Sequence, residues 1–132
     1  MAISQRILKK VRQQAVIRFV GDGTANVDLA DLALADETFD RGNSRVTIST
    51  IFYSNGSSST PVAVAREGNV LLQLFDTDQW AMSAMHGVVE DTHPSSNISV
   101  TIPAPGGTVI LGLTKAEGYT PPDQQALYNY QK

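Results

Sequence analysis

The chain has 132 residues, enough for one domain with a real core and too few for two of ordinary size. It contains no cysteine, which removes disulfides, thiolate zinc sites and thiol nucleophiles together. The formal charge is −3, yet Arg6, Lys9, Lys10, Arg12 and Arg18 give +5 before the first acidic residue, Asp22, so the remainder must hold −8. Such asymmetry predicts a basic arm that meets an acidic surface, chiefly protein, with nucleic acid as the lesser alternative. No apolar run reaches bilayer-spanning length, and the first fourteen residues lack the apolar core of a signal peptide. The expectation is a soluble protein without a membrane partner.

In chain order, Ile3, Ile7 and Val11 stand four residues apart around SQRILKKVRQQ, with Leu8 beside them and Ser4 at an N-cap position. That spacing predicts a short basic amphipathic helix within residues 1–14. A helix of this length is marginal alone and needs a surface to lie on, which makes Arg6, Lys9, Lys10 and Arg12 candidate partner-binding residues. The period then changes to two. VIRFV runs into Gly21-Asp22-Gly23, read as a tight reversal. In TANVDLADL, Val27 and Leu29 alternate with polar neighbours before the pattern becomes ambiguous between strand and one helical turn. Residues 31–43, DLALADETFDRGN, form an acidic connection ending in an Arg-Gly-Asn turn, and long irregular stretches are where function tends to sit.

The second half is β-branched and alternating. RVTISTIFYSN (Val46, Ile48 in phase) and PVAVARE (Val62, Val64) flank the polar tip NGSSST and read as a hairpin. NVLLQLF follows with Val70, Leu72 and Leu74 in phase, then DTDQW as a turn and WAMSAM, which places Trp80 in the core. NISVTI (Ile98, Val100, Ile102) and TVILGL (Val109, Leu111, Leu113) are separated by PAPGG, a turn signal. Residues 15–118 thus read as the body of one all-β domain, an antiparallel sandwich (jelly-roll or Ig-like) or small barrel of seven to eight strands. Residues 119–132, YTPPDQQALYNYQK, hold three of the four tyrosines and two adjacent prolines, which predicts an extended strap. Tyr119, Tyr128 and Tyr130 are candidate partner-binding residues, and the sticky termini predict a homo-oligomer.

Complete catalytic sets are missing. VGDGTAN lacks the third glycine and the βαβ context of a dinucleotide fingerprint. His86, Glu90, Asp91 and His93 in HGVVEDTH are weak metal-ligand candidates, since nothing fixes them through a second layer of contacts. The serines of SNGSSST lack a nucleophile elbow. Asp76 and Asp78, or Asp36, Glu37 and Asp40, could offer oxygens to calcium, but the rest of an EF-hand loop is absent and turn chemistry explains them. The sequons at Asn55 and Asn97 lack a signal peptide. No enzyme activity and no cofactor are expected.

Three phrases carry a family likeness: DLADLALADETFD leading into SRVTISTIFYSN, then NVLLQLFDTDQW, then APGGTVILGLTKAEGYTPPDQQ. With them the chain from about Asp28 onward resembles small virion structural proteins of tailed bacteriophages, especially T4-like marine phages. The resemblance implies a β-rich, non-enzymatic particle component of the decoration, neck or tail class, located in the virion, that stabilises a capsid, neck or tail assembly. Its partners would be a major capsid, neck or tail protein. The alternative is a sandwich that binds carbohydrate or a host receptor through loops 31–43 and 54–60.

Overall fold

The computed structural model describes residues 3–81 and 95–120, and within them the chain is antiparallel β-sheet with two short 3₁₀ turns. The strands are β1 (Ser4–Lys10), β2 (Gln14–Val27), β3 (Thr38–Phe39), β4 (Arg45–Asn55), β5 (Val62–Arg66), β6 (Asn69–Leu74), β7 (Thr77–Ala81), β8 (Ile98–Glu117) and β9 (Tyr119–Thr120). The main sheet runs in the order β1-β2-β8-β4-β7, with β5 joining β8 and β6 joining β5, while β3 and β9 form a separate pair.

The basic N-terminal segment is a strand, which corrects the expected helix. Residues Ser4 to Lys10 pair with Val20 to Ala15 across a short turn, with a bulge between Ile7 and Lys9. A spacing of four is even, so it puts Ile3 and Ile7 on one face of a strand as readily as of a helix, and both pack against the core. Pairing with β2 supplies the backbone partners that a three-turn helix would have had to find within itself.

Two expected turns are corners within long strands. Gly21-Asp22-Gly23 lies inside β2, and the PAPGG segment lies inside β8. Between Gly21↔Gly107 and Gly23↔Ile102 the register jumps, with residues 103–106 looped out of the ladder. Gly21, Gly23 and Gly106 have φ of 116°, 121° and 115°, a region that side chains disfavour, and a Cβ on Gly106 would sit 3.1 Å from the Gly21 carbonyl oxygen. The irregularity flips the parity of burial. Ile98, Val100 and Ile102 are buried before it and Val109, Leu111 and Leu113 after it. Each strand thereby serves two differently oriented parts of the sheet.

The expected β4–β5 hairpin is also corrected, because β4 pairs with β7 and β8, and β5 with β6 and β8. The polar tip is a crossing held by Asn55, whose amide donates to the carbonyls of Thr60 (2.8 Å) and Leu74 (3.1 Å). The true tight hairpin joins β5 to β6 through Glu67-Gly68, where both residues have positive φ (50° and 80°) as a type I′ turn requires. One core gathers residues from β2, β4, β5, β6 and β8, including Ile17, Phe19, Ile51, Val64, Leu74, Val100 and Leu111. Trp80 contributes backbone pairing to Ile51, and its side chain lies outside the described set.

Candidate functional site

The acidic connection and the basic arm meet within one chain. Arg12 at the β1–β2 turn holds Asp36 with both guanidinium nitrogens, at 3.0 and 2.8 Å, and Lys10 donates to the Asp31 carbonyl at 3.2 Å. The Arg12 guanidinium beside Asp36 holds that carboxyl below its ordinary range, chiefly by hydrogen bonding. Next to it, Glu37 and Lys115 form an ion pair at 2.8 Å with both side chains fully covered. Lys115 also donates to the Val11 carbonyl at 2.8 Å, and Glu37 Oε1 accepts from the Leu34 amide at 2.8 Å. Glu37 Oε2 has no hydrogen-bond partner, and Arg12 Nη1 lies 3.9 Å from it.

From this latch a stack of cations and rings runs toward the surface. Lys115 Nζ sits 4.7 Å over the Tyr119 ring, Tyr119 meets Phe39 at 5.0 Å, and Arg41 lies 5.3 Å over Phe39. Cations over ring faces are favourable, most of all where water is excluded. The Tyr119 hydroxyl donates to the Leu29 carbonyl, and burial pushes the phenol's pKa well above its usual value. Tyr119 therefore docks on its own domain, paired with Phe39 between β9 and β3.

Arg41 ends the stack on the wall of an open depression of about 570 Å³. Its Nη2 reaches Asp28 at 2.8 Å and its Nη1 reaches Asn97 Oδ1 at 3.1 Å and the Ser95 carbonyl at 3.3 Å. The Ala30 amide and, after it, Arg41 hold the Asp28 carboxyl below its ordinary range. Across the depression the Glu67-Gly68 turn supplies a carboxylate that accepts from the Ser96 hydroxyl at 2.6 Å. Beneath lies Arg66, 1% exposed, whose guanidinium donates to Ser96 O at 2.8 and 3.2 Å and to Val46 O at 2.5 Å. Asn26 and Ser99 complete the lining. The wall is thus made of amides, hydroxyls and one side chain of each charge, with no apolar side chain among its lining residues.

Of the residues singled out from sequence, Arg6 and Lys9 are exposed on β1, while Lys10 and Arg12 bind the chain's own acidic loop. Asp36 and Glu37 are engaged by cations, and Asp40 caps the second 3₁₀ turn through the Gly42 amide at 3.1 Å. No group able to hold a metal occurs among the described residues. His86, Glu90, Asp91, His93, Tyr128 and Tyr130 lie outside the described residues. The two loops of the receptor-binding alternative attach to opposite ends of β4, and the depression takes Arg41 from the first and nothing from the second. Sequence reasoning missed Glu67, Ser96, Asn97 and Asn26 as one site. The R-E-G-N signature of a two-residue turn was the available signal for Glu67.

No protein-family model and no curated protein matches the chain. A solved structure that does match is "The structure of KdgF from Halomonas sp.", with 12% identity, 87% of this chain and 82% of that chain covered, and a TM-score of 0.42. The expectation of a phage virion structural protein is corrected here, because the solved structure that matches carries the name KdgF and not that of a virion protein. At this level of likeness no activity or ligand passes to the present chain.

Proposed function

We propose that the protein is a non-catalytic binding module whose depression takes a neutral, hydroxyl-rich ligand, a carbohydrate being the natural class. The observation that carries the reading is the chemistry of the wall: Asn26, Ser95, Ser96, Asn97 and Ser99 around Arg41 and Glu67. A cavity lined by polar side chains, with apolar surface only from their stems and the backbone, gains less from excluding water, so its ligand is held chiefly by directional hydrogen bonds. The two charges already have partners, Arg41 with Asp28 and Glu67 with Ser96, and together they sum to zero. A net charge on the ligand would meet no opposing surplus, which favours vicinal hydroxyls over a carboxylate or phosphate. The volume suits one or two sugar rings, within the range of small-molecule sites. Openness makes the binding wet and weak, suited to repeated presentation of the ligand.

The sheet that carries the site is, on this reading, a sandwich rather than a closed barrel. Support comes from β1, β6 and β7, each of which has one neighbour among the described residues, and from the two corners that let β2 and β8 cross between layers.

The test is a glycan array followed by an NMR titration with the best neutral hit. Amide shifts clustered at residues 26, 41, 67–68 and 95–99, abolished by Glu67→Gln with Asn26→Ala, are expected. An array without neutral hits, or shifts clustered at residues 54–60, would overturn the proposal.

A further inference from the structure

Three strands end the sheet with one neighbour each among the described residues, and their chemistry differs. The β1 edge carries Arg6, Lys9 and Lys10, and the β7 edge carries Asp78 with Asp76 just before it. The β6 edge, NVLLQL followed by Phe75, carries no charge at all. It also carries the most exposed apolar side chain, Val70 at 53%, followed by Phe75 at 46%, which equals Leu8 on β1. An edge strand presents a row of unpaired backbone donors and acceptors, and charges on such an edge are a usual device against pairing. Here that device is present on β1 and β7 and missing from β6.

We propose that β6 is a dimerisation edge, and that its occupant is β6 of a second copy, paired antiparallel about a two-fold axis. The choice of partner follows from charge. A two-fold contact sets each edge against itself, so β1 on β1 would oppose lysine and arginine with lysine and arginine, and β7 on β7 would oppose carboxylates. Within Asn69–Phe75 the β6 edge is the one of the three whose self-pairing opposes no like charges, and the flanking acids Glu67 and Asp76 lie beyond it, where positive φ (50° and 67°) takes the chain out of extension. Its antiparallel backbone is self-complementary, and Val70 and Phe75 of each copy gain cover from the other.

Six strand residues and Phe75 make a contact smaller than the roughly 1,200 Å² that stable complexes bury, so the dimer depends on concentration. One consequence rests on the proposed binding site, although the interface itself does not. The Glu67-Gly68 turn that lines the depression leads directly into β6. Pairing centred between Leu71 and Leu72 sets the two Gly68 positions about 24 Å apart along the strand direction and makes the module bivalent.

The experiment is sedimentation equilibrium of the full chain from low micromolar to about 1 mM. Val70→Lys, at an exposed position, is compared with Leu8→Lys on the β1 edge, and Gln73→Lys replaces Val70→Lys if that variant loses its circular dichroism. A monomer–dimer equilibrium whose dissociation constant rises about tenfold or more in the β6 variant and is unchanged by Leu8→Lys is expected. A monomer throughout the range, open-ended growth beyond the dimer, or weakening by Leu8→Lys in place of Val70→Lys would each overturn the proposal. None of these outcomes bears on glycan binding by the single copy.

Discussion

Removing the Lys115 ammonium is the sharpest way to probe the latch that holds the acidic loop. In Lys115→Met the chain keeps an apolar stem of similar length, but Glu37 is left with its side chain wholly covered and without the cation 2.8 Å away. Arg12 Nη1, 3.9 Å from Oε2, is half exposed on its own side and already committed to Asp36, so it replaces only part of the lost attraction. Breaking a buried pair from one side costs about 3–5 kcal/mol, most of it the penalty of a stranded charge. For a chain of this size each kcal/mol moves Tm by roughly 3–5 °C, so a drop of roughly 10–25 °C is expected. Glu37→Gln keeps an acceptor for the Leu34 amide while removing the charge, and the double variant strands neither ion. Urea denaturation of the wild type, both single variants and the double variant closes a cycle, with a coupling of at least about 2 kcal/mol expected. A Lys115→Met cost below about 1 kcal/mol, or strict additivity in the cycle, would show that the pair is solvated in solution and refute the reasoning.

Arg12→Gln should return the Asp36 carboxyl toward its ordinary pKa in an NMR pH titration, because the guanidinium is the largest cause of its depression. A depressed carboxylate stabilises the fold above its unfolded pKa and loses that contribution as pH falls through the folded value. Wild type should therefore lose more stability on acidification than Arg12→Gln does. Gly118→Ala should destabilise by about 2 kcal/mol or more in thermal melts, since φ is +95° and the new Cβ would lie 2.5 Å from Ser44 Cα. Tyr119→Phe should cost about 1 kcal/mol, the loss of one buried hydrogen bond to the Leu29 carbonyl, while keeping the ring contacts with Phe39 and Lys115.

The strands were legible because burial in a half-covered sheet follows parity. Ile98, Val100 and Ile102, and Val109, Leu111 and Leu113, are all in the core as their alternation predicts. What sequence could not supply is how such runs connect. Glycine and proline mark a departure from regular extension, and a corner inside a strand needs the same residues as a turn between strands. Gly21-Asp22-Gly23 and PAPGG face each other across β2 and β8, a pairing between residues far apart in the chain that no local window contains. Val70 shows the same limit in miniature. It shares parity with Leu72 and Leu74, but the ladder with β5 skips a residue between Val70 and Leu72, which turns Val70 outward.

The site was less legible than the fold for a related reason. Its residues come from the end of β2, the second 3₁₀ turn, the β5–β6 turn and the start of β8. Each is an ordinary loop or strand-end residue where it stands in the sequence, and only Arg41 lies in a segment marked out by its length. Charge asymmetry pointed toward an outside acidic partner for the basic arm, yet Arg12 and Lys10 are spent on Asp36 and the Asp31 carbonyl. An intramolecular partner costs no translational entropy, so a basic segment beside its own acidic loop satisfies itself first. The tie has a consequence for the depression. The loop that carries Asp36 and Glu37 also carries Phe39 and Arg41, and the ring stack links Lys115 to Arg41. A chain that loses the latch should therefore lose order at the wall of the depression before it loses the sheet. Hydrogen exchange on Lys115→Met would then be fastest across residues 28–44, with β2, β4 and β8 still protected.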